Sequence, residues 1–367
     1  MYKITPFNGI RESIRDSISI IKGIFRVLKS GNFILGNQLS LFEQEFSNYL
    51  SDKKIYSIGT NSCTDSLYLS LKLFGIGKGD EVITQSNTAI PTVNAIVMSG
   101  ATPVFVDVGI DYQMNVSEVE KSITKKTKAV IPVHLFGNCC EMDILQNICK
   151  SNNIKLIEDC AQSFGSSYNG KKLGTFGDTS CFSFYPTKIL STYGDGGMIV
   201  TNSEELYKAV LKIRNHGLKN RNECEFWGWN SRLDEIQASI ILAKMEIITN
   251  LDKKRNHIAQ LYRSMIDNKL VTIPYETEDE SHHVYNQYTI KVKNRVRFTK
   301  YLEKNLIPFG IYYPIPIYKQ KALKNFKYKC NLKNTEEVTK QCVSIPIYPE
   351  LKNDAIKYIS QVINKYK

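Results

Sequence analysis

Between about residues 55 and 205 the chain alternates short apolar runs with stretches of helical periodicity. The runs Glu81–Gln85, Pro103–Asp107, Lys128–His134, Lys155–Asp159, Ser180–Phe184 and Met198–Thr201 are compact, rich in Val, Ile and Phe, and bounded by Gly, Pro or Asp. That pattern predicts strands. Asp65–Phe74, which ends at Gly75, and Met142–Lys150 read as helices between them. Strand and helix in alternation predict an α/β fold, with a mostly parallel, mixed sheet held between helices. In such sheets ligands bind beyond the carboxyl ends of the strands, so chemistry is expected just after each run.

The texture then changes. Ser231–Ile248 reads as a long helix that continues, more polar, through Leu261. Beyond it come a strand at Val284–Lys293, a helix at Phe298–Asn305, a Pro-punctuated strand or extended segment at Ile311–Ile317, and a helix at Asp354–Lys365. A boundary near residue 250 gives a large domain over 1–250 and a smaller C-terminal α/β domain over 251–367. The N-terminal segment, about 1–30, is expected to pack on the small domain. Neither an internal repeat nor a low-complexity linker is visible.

Composition narrows the class. A chain of 367 residues can bury a sizeable core. No apolar run reaches the roughly 20 residues needed to span a bilayer. Met1–Asn8 lacks the pattern of a signal peptide, so a cytoplasmic protein away from membranes is expected. Nine cysteines, single apart from Cys139 and Cys140 and without a CxxC pair, read as reduced core thiols and predict no metal site. A net charge of +12 would suit an anionic partner, but the lysines are spread along the chain. A solvated surface is the better reading, with Lys125 and Lys126 at an exposed helix end. No compact Lys/Arg helix of a nucleic-acid binder is present.

Three positions carry candidate chemistry. Asp159 ends an apolar run, where a buried carboxylate is costly without a cationic partner. A protonated pyridine nitrogen of pyridoxal phosphate (PLP) would serve, and a helix cap or supporting carboxylate is an equal reading. Lys188 follows the run Ser180–Phe184; a lysine there can form an imine with an aldehyde once its pKa is lowered, although a lone lysine is usually a surface one. The turn Gly194-Asp195-Gly196-Gly197 nearby lets backbone fold tightly beside a ligand. Asn61 to Ser66 opens a helix, and its free amides suit a phosphate or an ordinary N-cap.

Taken together and in order, these features resemble the DegT/StrS sugar aminotransferases, PLP enzymes of the type I, aspartate-aminotransferase fold. The resemblance covers essentially the whole chain. It is carried by Gly31-Asn32-Phe33-Ile34-Leu35-Gly36, Gly75 to Ile83, Pro132 to Gly137, Glu158-Asp159-Cys160-Ala161-Gln162, Ser183 to Lys188, and Asn230 to Ala238. It implies PLP as cofactor, with Lys188 as the Schiff-base lysine that also moves the proton, and Asp159 as partner of the pyridine nitrogen. Gln162 is then the contact to the phenolic oxygen, and Ser183 with the amides of Cys63 and Thr64 the phosphate contacts. Asn230 matches a residue that reaches the neighbouring subunit's phosphate, which implies a homodimer with shared sites. Arg232 is a candidate for the amino donor's carboxylate, against a helix-start salt bridge.

The implied reaction moves an amino group from L-glutamate to a nucleoside-diphosphate keto sugar on a dTDP or UDP carrier. The Gly194–Gly197 turn favours 3-keto over 4-keto sugars. Tyr313 and Tyr318 match substrate contacts. Two positions depart from the family pattern: Ala89 stands where an aromatic residue commonly stacks on the PLP ring, and Tyr318 where a histidine is common. A dehydrase on the same scaffold and a regulatory, DNA-binding member are the alternatives. Lys188 opposes the first, because dehydrating members carry histidine there.

Overall fold

The computed structural model describes residues 4–5, 9–275, 280–326 and 332–367, with only the backbone for 9–14. Much of Met1–Asn8 and Cys330 lie outside the described residues. The strands are β1 Tyr56–Thr60, β2 Glu81–Gln85, β3 Thr102–Val106, β4 Thr127–Ile131, β5 Lys155–Asp159, β6 Ser167–Tyr168, β7 Lys171–Lys172, β8 Thr179–Ser183, β9 Gly197–Thr201, β10 Val271–Thr272, β11 Tyr288–Val292 and β12 Cys342–Ile345.

Seven of them form one sheet in the order β1-β9-β8-β5-β4-β2-β3. The run from β3 to β8 is parallel; β9 alone is reversed, pairing antiparallel with β8 on one side and β1 on the other. The central strands are buried along almost their whole length, because helices cover both faces. On one face helix Asn37–Leu50 turns Leu39, Phe42, Phe46 and Leu50 inward, one apolar stripe at helical spacing. Phe46 meets Phe182 and Phe184 edge-on with centroids 5.0 and 5.7 Å apart. On the other face helix Cys63–Leu73 lays Leu67 and Leu71 against Ile157 and Cys181.

A second, antiparallel sheet runs β10-β11-β12 around its own core, where Tyr262, Tyr288, Ile290, Val343 and Ile356 are buried. Helix Ile248–Met265 belongs to both cores: Ile248 and Leu251 pack with the first, Ile258 and Tyr262 with the second. The N-terminal segment also touches both. In helix Gly9–Ser30, Ile20 lies against Ile240 and Ala243, while Ile4 packs on the second core and Arg15 pairs with Glu350.

Two readings need correction, and one that offered a strand or an extended segment is decided for the latter. The helix expected over Ser231–Ile248 and onward is two helices, Glu235–Met245 and Ile248–Met265. Residues 231–234 are not helical, because Asp234 bridges Ile34 and the Ser231 amide donates to the Arg214 carbonyl. The Ile311–Ile317 segment pairs in no strand. Gly310 exchanges two hydrogen bonds with Ser344, and the Ile317 amide donates to the Ser86 carbonyl at 3.1 Å. Between those anchors Tyr312 and Tyr313 pack on Tyr112, Leu135 and Phe136, so the segment arches over the carboxyl ends of β2, β3 and β4. Finally, not every thiol is a core thiol: of the described cysteines, all free, Cys224 is exposed and the rest are buried.

Candidate active site

Asp159 is the last residue of β5 and is buried. Its Oδ2 accepts from Thr92 Oγ1 at 2.7 Å, and its Oδ1 accepts from the Ala161 amide at 3.0 Å and faces Cys63 Sγ at 4.0 Å. Burial pushes the Asp159 carboxyl upward, and the Thr92 and Ala161 bonds and the nearby Lys188 oppose that rise without cancelling it. Lys188, half-buried just beyond β8, is pulled down by burial against the attraction of Asp159 and Cys63. Among the described residues no cation lies within ion-pair distance of Asp159, and the Lys188 ammonium has no hydrogen-bond partner. The carboxylate and the amine thus share one field without forming an ion pair.

The start of helix Cys63–Leu73 forms a second wall. Ser62 caps it by accepting from the Asp65 amide at 3.1 Å, so the amides of Cys63 and Thr64 have no acceptor within their own helix turn. Burial holds the Cys63 thiol well above its ordinary pKa, with Asp159 adding to the rise, so it stays protonated. Gly197 opens β9 opposite Ser183. A Cβ at Gly197 would lie 2.3 Å from the Ser62 carbonyl carbon and 2.6 Å from the Cys63 nitrogen. That glycine therefore brings Ser183 and the helix start together. In the same turn Gly194 and Gly196 pack against Gln237 and Leu233.

The third wall comes from the arch. Gln162 Oε1 accepts from the Phe136 amide at 2.8 Å, which fixes its amide orientation, and its Nε2 donates to the Tyr313 hydroxyl at 3.2 Å. Nε2 keeps a second hydrogen and Tyr313 keeps its own, so the pair presents two donors.

Three comparisons bear on this arrangement. The model of the DegT/DnrJ/EryC1/StrS aminotransferase family matches residues 16–364. The chain belongs to this family. It is 39% identical over 363 residues to the dTDP-3-amino-3,6-dideoxy-alpha-D-galactopyranose transaminase of Aneurinibacillus thermoaerophilus, covering 98% of this chain and 99% of that one. It is 37% identical over 360 residues to the UDP-2-acetamido-2-deoxy-3-oxo-D-glucuronate aminotransferase of Pseudomonas aeruginosa, covering 98% of each. The crystal structure of S. venezuelae DesV in complex with a ketimine intermediate superposes with a TM-score of 0.95 at 31% identity, over 100% of this chain and 98% of that one. The protein is thus an aminotransferase of a PLP-dependent family with the PLP-transferase fold.

The walls fit that cofactor: a buried, cation-free carboxylate, an amine in its field, and a helix start that a glycine lets approach Ser183. The other predicted residues lie around them. Asn230 is exposed and its backbone bridges Asn215. Arg232 is half-buried; its guanidinium donates to Asn215 Oδ1 at 2.8 Å, and among the described residues it has no carboxylate partner. The helix-start salt bridge is thereby ruled out for this chain's described residues. The Tyr318 hydroxyl bonds Glu336 at 2.5 Å, and its ring packs with Val93 and Phe105. Ala89 is half-buried at the start of helix Ile90–Ser99.

Sequence reasoning missed Thr92, whose single local signal is a hydroxyl in a helix's first turn. It also missed the hub beneath the site. Glu158 is fully buried and accepts from the Gly174, Phe176 and Gly177 amides, Ser180 Oγ and His134. Burial would raise its carboxyl, but the bonds from His134, Gly174 and Gly177 win and hold it low. His134 Nδ1 accepts from the Cys140 amide at 3.2 Å, so Nε2 carries the proton toward Glu158. Ligating atoms of His134, Glu158 and Cys160 fall within 4.8 Å of one another, yet these bonds already use Glu158's oxygens and His134's Nδ1. Among the described residues no helix is long and apolar enough to cross a membrane.

Proposed function

We propose that this chain transfers an amino group from L-glutamate to the keto carbon of a dTDP- or UDP-linked deoxysugar, at C3 rather than C4. The convergence of Asp159 and Lys188 at the ends of β5 and β8 carries the reading. PLP, when bound, supplies the electron sink that stabilises the substrate carbanion. Asp159 holds the proton on the ring nitrogen. Lys188, whose pKa burial lowers, takes and returns the proton at the substrate carbon. The amides of Cys63 and Thr64, with Ser183, hold the phosphate at a helix start.

Gln162 and Tyr313 offer donors to an oxygen anion, and Arg232 offers the guanidinium donors not engaged by Asn215 to a donor carboxylate. Two similar proteins named for groups at C3, and the reading of the Gly194–Gly197 turn, support the choice of position. Asn230, exposed on its loop, supports a homodimer in which one subunit completes the other's site. A cytoplasmic setting accords with nucleotide-sugar substrates.

The test is the absorption spectrum of the purified protein with PLP, for the wild type and Lys188→Ala, before and after L-glutamate. A visible band that glutamate bleaches, and that the variant lacks or fails to discharge, supports the reading. A screen of 3-keto and 4-keto sugar nucleotides then fixes position and carrier. No PLP uptake, or no response to any amino donor, sinks it.

A further inference from the structure

The carboxylate of Asp159 sits at the starts of two helices. Cys63 is the first residue of helix Cys63–Leu73, and Thr92 lies in the first turn of helix Ile90–Ser99. Each helix start carries about half a positive charge, which favours an anion there. The second helix has no side-chain cap of its own, since Ala89 offers none, so its first turn is free to act on Asp159. Thr92 makes the closest contact, 2.7 Å to Oδ2.

Thr92 has one hydroxyl proton. A carboxylate can only accept, so that proton points at Asp159, and the 3.2 Å contact between Thr88 Oγ1 and Thr92 Oγ1 must run from Thr88 to Thr92. Both threonines are buried, so no water competes for either bond. The row Thr88 to Thr92 to Asp159 is polarised in one direction, and each bond strengthens the next. Oδ1 is taken by the Ala161 amide and the weak Cys63 donor, which leaves Oδ2, on the Thr92 side, with a free lone pair.

From this geometry we infer that Thr92, backed by Thr88, is a positioning residue: it fixes the rotation of the Asp159 carboxylate and keeps it charged for the ring nitrogen. The inference rests on the aminotransferase reading for its purpose, but not for the Thr92–Asp159 coupling itself. The titratable groups facing Asp159 are Lys188, His134, Cys63, Cys160, Cys181 and Tyr313, with Glu158 beside it in the chain. Lys188 and His134 support its charge, while burial opposes it most strongly.

The experiment is a pH titration of the Asp159 carboxyl carbon by NMR in the cofactor-free full chain. Selectively labelled aspartate is used, and the signal is assigned by its loss in Asp159→Asn. Thr92→Val is expected to move the titration upward by about one pH unit or more, a tenfold change, and Thr92→Ser to restore it. With PLP bound, the half-reaction with L-glutamate should slow about tenfold to a hundredfold in Thr92→Val. The Thr92→Ser rate should stay within about threefold of wild type.

A titration in Thr92→Val that coincides with wild type overturns the inference and reduces Thr92 to packing. Should Thr92→Val fail to fold, Thr92→Ala takes its place on the same criterion. The two possible failures separate. A wild-type chain that ignores every amino donor sinks the aminotransferase reading, whereas the NMR shift needs neither cofactor nor substrate.

Discussion

Gly197 and Ser62 approach so closely that a Cβ on the glycine would lie 2.3 Å from the Ser62 carbonyl carbon. The atoms met are backbone, so no side-chain rotation can relieve the clash. Gly197 also stands opposite Ser183 in the β8–β9 ladder, and its position therefore sets both candidate phosphate contacts at once.

Gly197→Ala is accordingly expected to push the start of helix Cys63–Leu73 away from Ser183. Overpacking of this kind costs about 1–3 kcal/mol, which a chain of this size survives. PLP affinity should fall far more than the melting temperature does. Fluorescence titration of the cofactor-free chain with PLP checks it; unchanged affinity would show that the Cys63 and Thr64 amides do not hold the phosphate.

The sheet was legible where a compact apolar run is bounded by Gly, Pro or Asp. Glu81–Gln85 and Lys155–Asp159 have the bounds that the pattern predicts, three others shift or shorten at their ends, and Met198–Thr201 gains Gly197. Tyr56–Thr60 gave little signal because Ser57, Gly59 and Thr60 interrupt it; its burial comes from β9 and helix Asn37–Leu50. Lys188 and Asp159 could be named from local motifs. Thr92 could not, since its role exists only after β2 and β5 bring residues 67 positions apart within 2.7 Å. Tyr318 shows another limit: its hydroxyl bonds Glu336, on a helix the sequence did not reveal, a contact its own motif could not announce.

Glu158→Gln should destabilise the fold by about 2–4 kcal/mol, because five donors converge on two carboxylate oxygens. A glutamine can turn one oxygen toward three of them, but its NH2 then meets the others donor to donor. The pH dependence has a definite sign. Since folding lowers the Glu158 pKa from 4.5, its contribution is complete above that value and is lost as pH falls through the folded pKa. The gap between wild type and variant, read by chemical denaturation, should therefore be widest near neutrality and narrow in acid. A constant gap would mean that Glu158 is not the charged hub.

Tyr313→Phe removes one of two donors and leaves the ring in its cluster with Tyr112 and Phe136. Burial holds the Tyr313 hydroxyl well above its ordinary pKa, so it acts as a donor across the working pH range. The variant should melt within a few degrees of wild type while the PLP absorption band shifts and the glutamate half-reaction slows about tenfold, the worth of one hydrogen bond. Gln162→Leu should do more, because it also strands the Phe136 amide. If both variants keep wild-type spectra, the arch does not touch the cofactor.

Arg232 holds Asn215 with one nitrogen and has no carboxylate partner among the described residues, so its remaining donors are uncommitted in a half-buried place. A guanidinium so placed matches a carboxylate with two parallel bonds, which a lysine cannot reproduce. Arg232→Lys should thus raise KM for L-glutamate about tenfold to a hundredfold, with little change in KM for the keto sugar nucleotide. Two-substrate steady-state kinetics separates the two constants, because the half-reactions alternate on one enzyme. Equal rises in both would assign Arg232 to the shape of the site, and a rise for the sugar alone would hand it to the nucleotide.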